Sequence, residues 1–146
     1  MRRWLIRSLV AVVVLVAGVF AGLAVYRDAK YGTRYGESER TLSVASGEVF
    51  TLMVPDRGAS VGDRWTASLS DGAVVAQVGS VLVADSLADR VFGPAPGGGG
   101  GQRLITFRAQ NPGTAAIVLS NCFQGCANER TRAASREVSW SVTVER

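Results

Sequence analysis

From residue 41 onward the chain alternates. Near its end Val138, Trp140, Val142 and Val144 point one way, and Glu137, Ser139, Ser141 and Thr143 point the other. That period of two is what a half-buried β-strand requires. Shorter runs repeat it: residues 41–45; 48–54, with Phe50, Leu52 and Val54 on one side; 64–69, with Trp65, Ala67 and Leu69; 103–109, with Ile105, Phe107 and Ala109; and 114–120, with Ile117 and Leu119. Residues 73–78 and 80–84 are valine-rich, with Gly79 between them. Gly, Pro, Asp and Ser separate the runs, and no sustained apolar stripe at helical spacing interrupts them. Seven or eight short strands in about 105 residues predict an all-β domain, an antiparallel immunoglobulin-like sandwich. An open Greek-key barrel is the architectural alternative. Trp65 and Trp140 are expected in the core.

The first forty residues read differently. Residues 8–26 hold nineteen consecutive uncharged positions, roughly 28 Å of helix, close to a bilayer's hydrocarbon thickness. Arg2, Arg3 and Arg7 precede the run, Arg27, Lys30 and Arg34 follow it, and Trp4 and Tyr26 stand at its flanks. This predicts one N-terminal transmembrane helix, with residues 1–26 as anchor, 27–40 as a polar stalk and 41–146 as the domain. A signal peptide cleaved at Gly22-Leu23-Ala24 and a buried soluble helix are the other readings. Either of the first two exports the domain. The anchored form is a single-pass protein of the cell membrane with a cytoplasmic amino terminus; the cleaved form is secreted. Gly18 and Gly22 form a G-x-x-x-G that can pack two such helices.

Charge and composition narrow the function. Residues 1–40 carry seven basic and three acidic residues, whereas residues 41–146 carry nine of each. The net charge of +4 therefore belongs to the N-terminal segment, and the neutral domain argues against a nucleic-acid partner. The chain has no histidine. That excludes a Ser-His-Asp triad, a Cys-His pair and histidine-ligated metals. With only two cysteines, four-thiolate metal sites are excluded too. No enzyme, cofactor or metal site is expected.

Three long connections remain: loop 1 at 55–63 (PDRGASVGD), loop 2 at 93–101 (GPAPGGGGG) and loop 3 at 120–136 (SNCFQGCANERTRAASR). In an immunoglobulin-like strand order, alternate connections emerge at one end and form a composite surface. The candidate binding residues are Asp63 and Trp65 of the first region, Gly98, Gly99 and Gly100 of the second, and Phe123 and Arg130 of the third. Export favours a disulfide between Cys122 and Cys126; the ring would brace the loop or present Phe123 to a partner. The glycine run Gly97–Gly101 lacks the G-K-[ST] ending of a phosphate loop, which leaves flexibility or close approach to a partner. Asp85 and Asp89 read as solvated.

Residues 41–146 resemble the chagasin family of cysteine-protease inhibitors. In the family's first-loop pattern, N-P-T-T-G-Y-x-W, Gly62 and Trp65 match, Asp63 takes the tyrosine place, and the Asn-Pro-Thr-Thr residues are absent. Gly97 to Gly101, followed by Gln102 to Ala109 and then Pro112-Gly113, match the glycine-rich second loop and its strand. The third-loop R-P-W is replaced by Cys122-Phe123-Gln124-Gly125-Cys126. The resemblance implies an immunoglobulin-type sandwich that blocks papain-like proteases through three neighbouring loops. With two of those loops altered, the leading expectation is a membrane-tethered binding module or accessory subunit whose partner is another membrane or exported protein. Inhibition of a papain-like cysteine protease through loops 55–63, 93–101 and 120–136 is the alternative.

Overall fold

A computed structural model describes residues 2–86, 89, 90, 93 and 99–146, and in the first helix the side chains of 12–22, 26 and 29–31. The alternating runs fold into two facing four-stranded sheets, a β-sandwich. One sheet has the order β1 (Thr33–Tyr35), β3 (Val49–Asp56), β6 (Gly101–Ala109), β5 (Val75–Ala84). The other has β2 (Thr41–Ala45), β8 (Arg136–Glu145), β7 (Gly113–Asn121), β4 (Trp65–Leu69). Phe50, Leu52, Val54, Ile105 and Phe107 from the first sheet meet Ile117, Leu119, Trp140 and Val142 from the second, all at most 1% exposed. The Phe50 and Phe107 rings stack with centroids 5.6 Å apart. Trp140 is a core residue as expected, and Trp65 packs half-buried against the core's margin.

Three expectations need correction. The sheets are mixed rather than antiparallel, because β1 lies parallel to β3 and β2 parallel to β8. Neither pair is a hairpin. β2 joins β8 with about a hundred residues between them, so no tight turn dictates an opposite direction. Next, Gly79 does not divide two strands. β5 runs through it with a shift of register between Gln77 and Gly79, and the extra residue, Val78, is turned outward.

The third correction concerns the N-terminal helix, and residues 27–40, expected as a polar stalk, make contacts with the sandwich. A helix, α1 (Arg2–Tyr31), ends one residue before β1. Gly32 makes the elbow at φ +57°, where an added Cβ would lie 1.6 Å from Val49 O. The Thr51 hydroxyl donates to Tyr31 O at 2.6 Å and sits 3.0 Å from Thr106 Oγ1. The helix end thus covers part of the sheet's outer face, which explains a buried threonine in the middle of β3. Further on, the Trp140 indole donates to Gly36 O at 3.3 Å, and Arg136 pairs with Glu37. Among the described residues no helix is long and apolar enough to cross a membrane. The expected N-terminal helix is present, but the described residues do not support a membrane-spanning role for it.

Candidate functional site

The site forms at the end of the sandwich where β3, β4 and β7 meet their long connections. Loop 1 is built on two buried aspartates. Asp56, at the end of β3, accepts from the Gly58 N–H and from Arg103 Nε of β6, both at 2.7 Å. Asp63, just before β4, accepts from the Arg57 N–H at 2.7 Å, from Arg57 Nη2 at 2.7 Å and from Arg57 Nε at 3.0 Å. Two carboxylates therefore take up the donors of a loop too irregular for ladder pairing. Burial pushes the Asp63 carboxyl up, but the hydrogen bonds and charge of Arg57 outweigh it and hold the group below its usual range. In return, the hydrogen bond to Asp63 raises Arg57 above its ordinary value.

Arg57 also joins loop 1 to loop 3. Its Nη2 donates to Ala134 O at 3.1 Å, and its guanidinium lies 4.1 Å from the centroid of the Phe123 ring. Main-chain bonds add to the junction: Gln124 N–H donates to Gly62 O at 2.9 Å, and Cys122 N–H donates to Arg64 O at 3.0 Å. Loop 3 is stiffened twice. A disulfide joins Cys122 and Cys126. After it, a short helix α2 (Glu129–Ala133) opens with a capping box, in which Asn128 and Thr131 exchange side-chain-to-backbone hydrogen bonds of 2.9 and 3.0 Å. Loop 2 reaches the same place through glycine. Gly58, at φ +96°, approaches so closely that a Cβ there would lie 2.8 Å from Gly99 O.

Loops 1 and 3 and the described end of loop 2, Gly99 to Gly101, therefore share one edge, but several candidate residues have other positions than a contact role requires. Asp63 is only 6% exposed and faces inward to Arg57. Its place in the tyrosine position of the first-loop pattern is thus structural. Trp65 is half-buried under Arg136, whose guanidinium lies 5.7 Å from the ring. Gly99 and Gly100 are half-buried, and Gly98 lies outside the described residues. Phe123 is half-buried, and Arg130 is exposed on α2; both line one shallow depression with Gln124 and Asn128. Ala59 and Ser60 in loop 1 and Gln124 and Gly125 in loop 3 are exposed. Sequence reasoning missed Arg57, Asp56 and Arg103. The repeated Asp-Arg pairs, Asp56-Arg57 and Asp63-Arg64, were the available signal. Among the described residues no group of three His, Cys, Asp or Glu side chains is placed to hold a metal ion.

A family model described as chagasin family peptidase inhibitor I42 matches residues 43–144. The chain belongs to the chagasin family. Solved structures agree on the fold. The solution structure of amebosin has a TM-score of 0.56 at 22% identity, over 77% of this chain and 97% of that one. EhICP2, a cysteine protease inhibitor from Entamoeba histolytica, has a TM-score of 0.56 at 14% identity, over 77% and 94%. No curated protein matches the chain. The family match overturns the leading functional expectation, an accessory or binding module for a membrane or exported partner, and favours the alternative. The altered loop residues that prompted that expectation were weighed without their burial. Asp63 replaces an aromatic where the side chain turns inward.

Proposed function

We propose that this chain inhibits papain-like cysteine proteases by seating its three-loop edge on the protease. The observation that carries the reading is the chagasin-family match over residues 43–144. The convergence of loops 1 and 3 and the described end of loop 2 on one edge supports it. The mechanism is steric occupation. Ala59 and Ser60 form a small, exposed tip of loop 1, and the braced turn Gln124–Gly125 stands beside them. Both are held before binding by Arg57, Asp63 and the disulfide, so little conformational entropy is lost on association. The chain acts as a non-enzymatic ligand of the protease.

The localisation belongs to the same proposal. The nineteen uncharged residues 8–26, with basic residues on both flanks, support an exported inhibitor whose amino terminus stays on the cytoplasmic side, or a secreted one if that segment is removed. The disulfide is consistent with an oxidising compartment.

The test is titration of papain with the full chain in neutral detergent, read as hydrolysis of a fluorogenic peptide. Stoichiometric or tight competitive inhibition is expected. Full papain activity at micromolar inhibitor overturns the reading.

A further inference from the structure

We propose that the cleft beneath the loop edge is a second subsite, which takes a primary carboxamide (an Asn or Gln side chain) from the bound protease. The inference rests on the inhibitory reading above. The cleft has a volume of about 490 Å³ and lies between the ends of the two sheets, lined among others by Asp56, Arg57, Asp63, Trp65, Asp85 and Asn121. Asn121 is 4% exposed, and neither its Oδ1 nor its Nδ2 has a hydrogen-bond partner in the protein. It lies close enough to Asp63 to favour that carboxylate's charged form without completing a well-formed hydrogen bond to it. The Trp65 indole N–H is also buried without a partner. Trp65 and Asn121 face each other in register on β4 and β7, so their unmet atoms belong to one place.

A buried polar atom without a partner is costly, so a group that meets all three atoms gains what the free protein lacks. The atoms comprise donors on Trp65 Nε1 and Asn121 Nδ2 and an acceptor on Asn121 Oδ1. A primary carboxamide has the complementary set: its oxygen has two lone pairs for the two donors, and its NH2 serves the acceptor. Charge selects a neutral occupant. Asp56 and Asp63 are paired with Arg103 and Arg57, and lining Arg136 is paired with Glu37, so these charges cancel and the remaining lining carboxylate, Asp85, repels an anionic occupant. Depth selects a side chain, because the main chain of a folded partner does not reach a residue as recessed as Asn121.

The experiment uses the full chain, labelled with 15N, in neutral detergent. Its tryptophans are Trp4, Trp65 and Trp140, so the Trp65 indole resonance is assignable by single substitution. Acetamide is expected to shift that resonance saturably, and Asn121→Leu to abolish the shift. Acetate is expected to produce no saturable shift. An equal response to N-methylacetamide overturns the side-chain assignment, and the absence of a saturable response to acetamide overturns the subsite. In parallel, Asn121→Leu and Trp65→Phe are each expected to raise the papain inhibition constant about 10-fold. Trp65→Phe removes only the indole N–H and its ring while keeping an aromatic against the core, which guards against a folding artefact. Unchanged inhibition by both variants overturns the inference. If wild-type chain leaves papain fully active, the functional reading fails instead, and the acetamide titration still decides whether the cleft recognises a carboxamide.

Discussion

The two ends of the sandwich are closed by different means. At the end away from the loops, short turns are tied by main-chain bonds and local caps. Gly47 N–H donates to Ala109 O at 2.9 Å, Ser46 N–H donates to Glu145 O at 2.8 Å, and Asp71 accepts from the Ala73 N–H at 2.8 Å. At the loop end the same task falls to buried carboxylates, arginines, a disulfide and close glycine contacts. The turn end resists change because each bond joins a single pair of groups, mostly exposed, so losing one costs little. The loop end depends on a few charged side chains, each of which positions more than one segment. The proposed site lies where single residues hold the most structure.

The largest expected contrast is between Asp63→Ala and Asp71→Ala. Asp63 satisfies the Arg57 main chain and guanidinium inside the protein, and Arg57 in turn holds loop 3. Its loss is expected to lower the unfolding free energy by about 2–4 kcal/mol and to raise the papain inhibition constant more than 10-fold. Arg57 is half exposed and partly rehydrates, which keeps the cost from being larger. Asp71→Ala is expected to cost about 1 kcal/mol or less and to leave inhibition unchanged. Chemical denaturation and papain titration read both. Equal losses for the two variants break the comparison.

Glycine sharpens it next. Gly58 and Gly47 both have positive φ, at +96° and +86°. A Cβ at Gly47 meets nothing within 4 Å, whereas one at Gly58 meets Gly99 O at 2.8 Å. Gly47→Ala is expected to cost only backbone strain, about 1 kcal/mol. Gly58→Ala adds a clash with a main chain, for a total of about 2–3 kcal/mol, and separates loops 1 and 2. The thermal unfolding midpoint is expected to fall further, and the papain inhibition constant to rise further, for Gly58→Ala than for Gly47→Ala.

Removing the disulfide is expected to act locally. Cys122 and Cys126 close a five-residue ring, worth about 2 kcal/mol in the chain-entropy model. Within it Gln124 and Cys126 have φ values of +46° and +52°, a conformation that residues with side chains rarely adopt. A Cys122→Ser/Cys126→Ser double variant is expected to weaken papain inhibition. Amide exchange is expected to speed up in loop 3 while the turns near Gly47 and Asp71 keep their protection. Uniform acceleration across both ends contradicts the division.

Periodicity made the core legible. Residues 138, 140, 142 and 144 face inward as read, and β2 spans the very residues 41–45 expected of it. The expectation of three loops at one edge came from strand order. What escaped was set by contacts distant in sequence. β1 is only three residues long and exists because β3 offers it an edge, so no local pattern announces it. Asp63 reads as an exposed loop carboxylate until Arg57 is seen beside it. The Asn121 carboxamide, at a strand end, carries no sign in the sequence that its hydrogen bonds are unmet.

The smallest expected effect is a pH dependence carried by Asp63 at the loop end. Arg57 depresses the Asp63 carboxyl below 3.8, its value in an unfolded chain. A carboxyl with a lowered folded-state value binds its proton less readily when folded than when unfolded. Its stabilising contribution is therefore complete above about pH 4 and is lost as the pH falls through the folded value. Asp56, paired with Arg103, lies close by and keeps the local field similar in the variant. Asp63→Asn keeps the shape and removes the titration. Between pH 5 and about pH 3, wild-type chain is expected to lose more unfolding free energy than Asp63→Asn. Parallel acid profiles for wild type and Asp63→Asn would mean that Arg57 meets Asp63 as well in the unfolded chain as in the folded one, and that the loop end is not held by this pair.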